Sequence, residues 1–218
     1  MLKSKNARKW LIRAIVVELV ILISLSGYAY AKYVTQQKLE GNLQITANLG
    51  KVTLQEHQAE KDENGKYTLT GTAVSANAYT TVLPGLDIPK DPYVTVTNKS
   101  PMPAYLFIEV WDNIPLTLIG SEQKKLIDYT VDTTNWKMIG TYGGKNVYVY
   151  TGGTGEAKEI TADVAATKIL VGDKVTVSQY LKKMELPVGG IQISFQTIMK
   201  QCVTGMTADQ IYSDNTNY

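Results

Sequence analysis

The sequence VLPGLDIPKDPYVTVTNKSPMPAYLFIEVW, from Val82 to Trp111, decides the fold class of this chain. Pro84-Gly85 predicts a tight turn, because proline fixes φ at about −65° and glycine accepts a positive φ. Two further prolines disfavour helix for the residues before them. Apolar residues then alternate with threonines over 94–96, and an almost continuous apolar run follows over 105–111. The stretch therefore predicts two sheet strands joined by a loop.

Short apolar or alternating runs continue on both sides of this stretch. Asn64-Gly65 is the best hairpin signal in the chain, and Gly143-Gly144 predicts a second turn. The connection over 112–125 contains Pro115 and Gly120, which argue against a long helix. Residues 162–170 are compatible with a strand or a helical turn. The runs that predict strands are 43–49, 52–54, 67–71, 94–96, 105–111, 126–131, 136–139, 147–150, 175–177 and 191–203, of which the last is the longest.

About ten short strands in a chain of this length indicate one all-β domain, over 32–218. The expected architecture is an antiparallel β-sandwich of jelly-roll type. Thr207 and Gln210 have the spacing of a capping box, which predicts a short C-terminal helix with Ala208 and Ile211 packed on the sheet.

The first 31 residues have the three regions of a signal peptide. Residues 1–13 are basic, residues 14–25 are apolar apart from Glu18, and Ala29-Tyr30-Ala31 supplies the small residues that a signal peptidase accepts. This order predicts a signal-peptide helix and cleavage between Ala31 and Lys32. When it is counted through Ala31, the apolar span reaches about 18 residues, so retention as a membrane anchor is the alternative.

The charge of the chain belongs mainly to this leader. The formal net charge is +2, but the first 31 residues hold five basic residues and one acid. The remainder has 17 basic against 19 acidic residues. A nucleic-acid-binding domain needs a positive surplus, so the sequence excludes that class.

Only two side chains are typical zinc ligands, His57 and Cys202. A zinc peptidase needs two or three imidazole or thiolate ligands and a general base, so this pair predicts no metal site of that kind, no enzyme and no cofactor. Cys202 has no partner for an intrachain disulfide and is expected to be a small buried residue of the last strand. His57 lies in a polar stretch, and we expect it to be solvated. A calcium ion held by oxygen ligands stays open.

The spaced series Leu83-Pro84-Gly85, Lys90-Asp91-Pro92 and Ala104–Val110 resembles the secreted proteins of the TasA and camelysin group. Trp136 after an Asp-Thr-Thr-Asn run and the strand over 147–150 agree with the same group. The residues that carry the resemblance are Pro84, Gly85, Lys90, Asp91, Pro92 and Tyr105.

The resemblance implies a secreted structural protein. Proteins of this group are exported by a dedicated signal peptidase in Gram-positive bacteria, and several build extracellular matrix fibres of the kind found in biofilms. The expected partners are further copies of the chain and the signal peptidase. The membrane is a partner only through the leader before cleavage. Some members of the group are labelled as metallopeptidases. Peptidase activity is a remote alternative for this chain, because the sequence lacks the zinc ligands that such an enzyme needs.

The segment 32–41 is the candidate for assembly. Subunits of this kind polymerise by lending an N-terminal strand to a neighbour, so Tyr33, Val34 and Leu39 are expected to anchor such a donor strand. Alternatively, the segment folds back on its own sheet or stays disordered.

A second functional hypothesis is a monomeric surface adhesin or carbohydrate-binding module. In that class, exposed rings such as Trp111 or Trp136 would stack on sugars. Both tryptophans stand among apolar neighbours, which favours the core instead.

We predict that the extracellular protein begins at Lys32. The intact mass of the exported chain measures this directly, and an N-terminus at Met1 would contradict it.

Overall fold

Antiparallel strands dominate the part of the chain that the computed structural model describes, which is residues 42–44, 49–80, 82–119, 121–180 and 190–214. All of these residues belong to one compact unit, Gln37–Asn215. The strands are β1 (Asn42–Gln44), β2 (Lys51–Lys61), β3 (Tyr67–Val74), β4 (Asp87–Pro89), β5 (Tyr93–Thr97), β6 (Ala104–Asp112), β7 (Leu116–Ile119), β8 (Glu122–Lys125), β9 (Ile127–Asp128), β10 (Trp136–Tyr142), β11 (Lys145–Tyr150), β12 (Val164–Lys168), β13 (Lys174–Val177) and β14 (Ile193–Gln201). A 3-10 helix spans Val171–Asp173, and helix α1 spans Ala208–Ser213. The predicted all-β class is confirmed.

Two sheets hold most of the strands. The first has the order β1-β2-β5-β12, with β3 also paired to β2, and the second has the order β10-β11-β6-β14. A smaller sheet has the order β4-β13-β9, and β7 pairs with β8. The Val82–Trp111 stretch contains three strands and not the two predicted, because the short strand β4 lies between the Pro84-Gly85 turn and β5. Its two longer strands, β5 and β6, belong to different sheets. The loop between them therefore carries the chain from one sheet to the other.

Strand β6 is buried on both faces, which explains its continuous apolar sequence. Its alternate residues from Ala104 to Val110 face a core shared with the first sheet. Tyr105 and Phe107 face the opposite way, into a second core that is closed by Ala208 and Ile211 of α1. The residues that the first sheet contributes to the shared core include Val52, Leu54, Val94 and Val96.

The predicted turn at Pro84-Gly85 is confirmed. The Leu86 amide donates to the Leu83 carbonyl at 3.3 Å, and Gly85 has φ +77°. This is the conformation that a turn with proline first and glycine second requires. The Gly85 amide also donates to the Val177 carbonyl at 3.0 Å, so the turn is joined to β13.

Other local predictions are also confirmed. Residues 62–66 connect the β2–β3 hairpin, with Gly65 at φ +82°. Helix α1 begins after Thr207, whose amide donates to the Gln210 side chain at 2.9 Å, and it buries Ala208 and Ile211. No helix among the described residues is long and apolar enough to cross a membrane.

Several predictions need correction. The strand predicted over 52–54 is longer than expected, because β2 continues through polar residues to Lys61. At 11 residues it is the longest described strand, so the prediction that the 191–203 run is the longest is wrong, since β14 has nine. The connection over 112–125 contains the β7–β8 hairpin. The segment over 162–170, which was compatible with a strand or a helical turn, contains strand β12, so the first alternative is confirmed. Cys202 follows β14 and is half-buried. The polar composition of the second half of β2 concealed the strand in the sequence. The polar residues of β2 lie on the face away from the core or form ion pairs, so they are compatible with a strand.

We expect Gly85→Val to lower the free energy of unfolding by about 1 kcal/mol or more, because a β-branched residue is strained at positive φ. An added Cβ would meet only Gln179 Cβ, at an ordinary 3.9 Å, so backbone strain is the cause being tested. Gly71→Val is the matched control, since Gly71 lies in β3 with open space around it. Urea denaturation measures both, and an equal effect of the two changes would contradict the turn argument.

Candidate functional site

Lys90 and Asp91 lie in the connection between β4 and β5, and both contact β2. Lys90 Nζ lies 2.9 Å from Glu56 Oε2. Asp91 accepts a hydrogen bond from the His57 amide at 2.9 Å, and its other oxygen lies 2.5 Å from His57 Nδ1. The Glu56, Lys90 and Asp91 side chains are nearly or largely buried, whereas that of His57 is 38% exposed. The two charged residues of the Lys-Asp-Pro sequence therefore hold the β4–β5 connection against β2.

Glu56 occupies a core-facing position, because it follows Val52 and Leu54 in the alternation of β2. A carboxylate there must have partners, since an uncompensated buried charge is costly. Its second oxygen accepts the Asn77 amide at 2.6 Å. The Lys90 ammonium also lies 5.9 Å from the ring centroid of Tyr79 and 5.8 Å from the ring centroid of Phe195. These contacts give both buried charges partners within the chain.

Asn77 joins the loop after β3 to the same cluster. The register between β2 and β3 shifts between His57 and Ala59. At this bulge the Asn77 side chain donates to the His57 carbonyl and accepts the Ala59 amide, both at 2.8 Å. The Tyr79 hydroxyl donates to the Pro89 carbonyl at 2.6 Å, and burial together with the nearby carboxylates raises the pKa of Tyr79. Hydrogen bonds from Asn77 and Tyr79 therefore attach the loop after β3 to β2 and to the end of β4.

His57 and Asp91 form an imidazole–carboxylate pair. An imidazole beside a carboxylate activates a nucleophile in hydrolases, but no hydroxyl or thiol among the described residues is hydrogen-bonded to His57. Within the same described ranges, no three His, Cys, Asp or Glu side chains are grouped to hold a metal ion. The contacts among Glu56, His57, Asn77, Lys90 and Asp91 join β2, the loop after β3 and the β4–β5 connection. Their structural role is to hold these segments together.

A second buried acid attaches helix α1. Glu109 of β6 pairs with Lys145 and accepts the Tyr212 hydroxyl at 2.5 Å. Burial and the Glu109 carboxylate raise the pKa of Tyr212, so the phenol stays neutral and donates. Lys145 Nζ lies 4.5 Å from the ring centroid of Trp111. Lys200 donates to the last carbonyls of the helix, at 3.1 Å and 2.9 Å.

Other candidate groups are buried or unreactive. Tyr105 is packed in the second core, and its hydroxyl lies 3.5 Å from Glu159 Oε1. Burial and Glu159 raise the pKa of the Cys202 thiol to about 12, so the thiol is protonated at neutral pH and is a poor nucleophile. Trp136 is completely buried and donates to the Lys168 carbonyl at 2.8 Å. It is therefore a core residue and does not face a sugar.

The outer edge of β14 is a different kind of candidate. Ala104 of β6 exchanges both backbone hydrogen bonds with Ile160, on the side away from β14. Because backbone groups alternate in direction along a strand, the β14 groups that point away from β6 are those of the odd-numbered residues of the strand, which include Phe195, Thr197 and Met199. No described strand pairs with them.

The candidate residues from the sequence fall into four groups. Lys90, Asp91 and Pro92 lie together beside β2. Pro84 and Gly85 lie at β13, and Tyr105 lies in the second core. None of these three residues contacts Lys90 or Asp91 in the described interactions. The cleavage and assembly residues lie outside the described residues: Ala29, Ala31, Lys32, Tyr33, Val34 and Leu39.

Sequence reasoning missed the partners of Lys90 and Asp91. His57 was expected to be a solvated residue of a loop or strand end. Its side chain is 38% exposed, but it lies in the middle of β2 and bonds to Asp91, so the predicted position is wrong. The signal for Glu56 was its position two residues after Leu54, at a core-facing place in the alternation. Asn77 carried no comparable signal, because its role depends on the β2 bulge.

Comparison with family models, with curated proteins and with solved structures finds no match for this chain.

We expect Lys90→Met to lower the free energy of unfolding by about 3–5 kcal/mol, since it leaves the buried Glu56 carboxylate without its counter-ion. Glu56→Gln combined with Lys90→Met should recover most of the loss, because the amide oxygen can still accept the Asn77 amide. Urea denaturation is the measurement.

Lys137→Met is the control, because its partner Glu156 has a side chain 81% exposed and such a pair contributes less than about 1 kcal/mol. A similarly small effect of Lys90→Met would contradict the assigned role of the buried pair.

Proposed function

We propose that this chain is a secreted structural protein, a subunit of extracellular matrix fibres or cell-surface filaments that assembles by strand addition. The donor is the segment 32–41 of one subunit, and the acceptor is the outer edge of β14 in the next. A contact between two different surfaces of the same chain does not close, so it yields a filament.

The observation that supports this proposal best is the regularity of the β14 edge. Its nine residues pair with β6 from Ile193 opposite Asp112 to Gln201 opposite Ala104, without a register shift. The outward groups of Phe195, Thr197 and Met199 have the two-residue spacing that an added strand requires. Thr197 and Met199 are only 3% and 1% exposed, so an extended donor segment would satisfy these groups in place of the groups that cover them within one chain.

The other edges of the two main sheets are poorer acceptors. β12 carries a bulge between Val164 and Thr167, and β10 carries one between Met138 and Gly140. Bulges twist an edge and interrupt its hydrogen-bonding row. β1 has only three residues, and the pairing of β3 with β2 shifts register between His57 and Ala59. By length and regularity, β14 is therefore the preferred acceptor.

The donor segment has the composition that this role needs. Tyr33, Val34 and Leu39 are apolar side chains among polar neighbours, and they directly precede β1. Removal of the leader after Ala31 would free this segment from the membrane, so assembly would follow export and cleavage. The acidic excess of the remaining chain suits a protein outside the cell that does not bind nucleic acid.

The proposal includes a fold of jelly-roll sandwich type and a signal-peptide helix that precedes it. Support for the sandwich comes from the core that both main sheets share. The buried ion pairs also fit a structural subunit, because their charges are satisfied within the chain.

Electron microscopy of the mature chain and of a chain that begins at Asn42 tests the proposal. We expect the shorter chain to remain folded by circular dichroism and to form no filaments, because it lacks the donor. Val34→Asp with Leu39→Asp in the mature chain should have the same effect, since a charged side chain is costly to bury in an acceptor groove.

Gln36→Asp with Gln37→Asp is the matched control, as it adds the same charge to the same segment without removing an anchor. Filaments of normal yield from the chain that begins at Asn42 would refute strand donation.

A further inference from the structure

The β7–β8 hairpin exposes two large apolar side chains. Leu116 is 56% exposed and Leu118 is 69% exposed. Because they are two residues apart in one strand, they lie on the same face. Leu116 stands opposite Lys125, and Leu118 stands opposite Gln123. Among the described strands, β7 pairs only with β8, so the hairpin keeps a free outer edge on each side.

The two outer edges differ in composition. β8 has the sequence Glu-Gln-Lys-Lys, and all four of its residues are exposed. Charged side chains, lysine above all, discourage another strand from pairing with an edge. β7 has the sequence Leu-Thr-Leu-Ile and carries no charge. The hairpin is therefore protected on its β8 side and unprotected on its β7 side.

We propose that β7 is a self-association edge, at which β7 of one copy pairs antiparallel with β7 of a second copy. The product is a four-stranded sheet with the order β8-β7-β7-β8. Leu116 and Leu118 of both copies then form one apolar cluster on a single face. Each copy contributes the same residues, so the contact has two-fold symmetry and closes at the dimer.

Two observations favour a second copy over a lipid surface. The free edge offers N–H and C=O groups, which a strand can satisfy and hydrocarbon cannot. The hairpin also has a mixed charge, since Glu122 lies beside Lys124 and pairs with it, so its attraction to an anionic membrane is small. A second copy of β7 has no charge to repel the first copy, and its two leucines can pack against those of the first copy.

The expected dimer is weak. Two four-residue strands cover far less surface than the roughly 1,200–2,000 Å² of a stable interface, so we expect dissociation in the micromolar to millimolar range. In a filament the same contact repeats along the length, and many weak contacts add up. If the chain forms filaments as proposed above, pairing at β7 links filaments side by side, and this role rests on the proposed function. The pairing itself does not depend on strand addition at β14.

Charge exchange across the dimer tests the proposal. The mature chain carrying Val34→Asp and Leu39→Asp is the background, so that strand addition does not contribute to the measurement. One variant adds Leu116→Lys and Leu118→Lys, and the other adds Leu116→Glu and Leu118→Glu. Each alone should raise the dimer dissociation constant in sedimentation velocity by about tenfold or more, because like charges replace apolar pairs. An equimolar mixture should restore the dimer, whatever the register of the two strands.

Met138→Lys is the control, since Met138 is 49% exposed on β10 and its change should leave the dimer unaffected. Circular dichroism of each variant verifies the fold. A background chain that stays monomeric up to millimolar concentration, or a mixture that stays monomeric, would overturn the proposal. Leucine-dependent binding to anionic vesicles without a dimer would overturn it as well, in favour of a lipid surface. A failure of strand donation would leave this assay unchanged.

Discussion

The burial of β6 on both faces is the constraint on which the rest of the structure depends. A strand with apolar residues at every position needs cover on both sides, and one sheet can provide only one of them. The first sheet covers the face that holds Leu106 and Ile108, and α1 covers the face that holds Phe107. The C-terminal helix is thus a required layer of the core, although it has only six residues.

Two acids at core-facing positions make further demands on the same architecture. Glu56 and Glu109 are 4% and 5% exposed, so each needs partners from elsewhere in the chain. Lys90 and the Asn77 amide supply them for Glu56, and Lys145 and Tyr212 supply them for Glu109. In both places the cost of desolvation is offset by contacts that attach a loop or a helix to a strand. Buried charge in this molecule therefore determines where non-sheet segments sit.

The edge strands differ from these two places, because no described strand pairs with their outer sides. Bulges interrupt β10 and β12, and charged residues cover β8, whereas the pairings of β14 and of β7 have no register shift. The first suits an open-ended contact and the second a symmetric one. A fibre with lateral links needs both kinds, because strand addition alone extends in one direction.

The sequence by itself determined what depends on neighbouring residues. The Pro84-Gly85 turn, the β2–β3 hairpin, the capping of α1 and most strands were predictable, because backbone preference and alternation act over a few positions. Tertiary structure alone decided that β5 and β6 lie in different sheets and that His57 meets Asp91, 34 residues away. It also turned the polar end of β2 into strand, since ion pairs replaced the apolar contacts that a strand pattern needs. Long-range pairing of this kind leaves no local signal, so Lys90 and Asp91 were found as a motif while their partners were not.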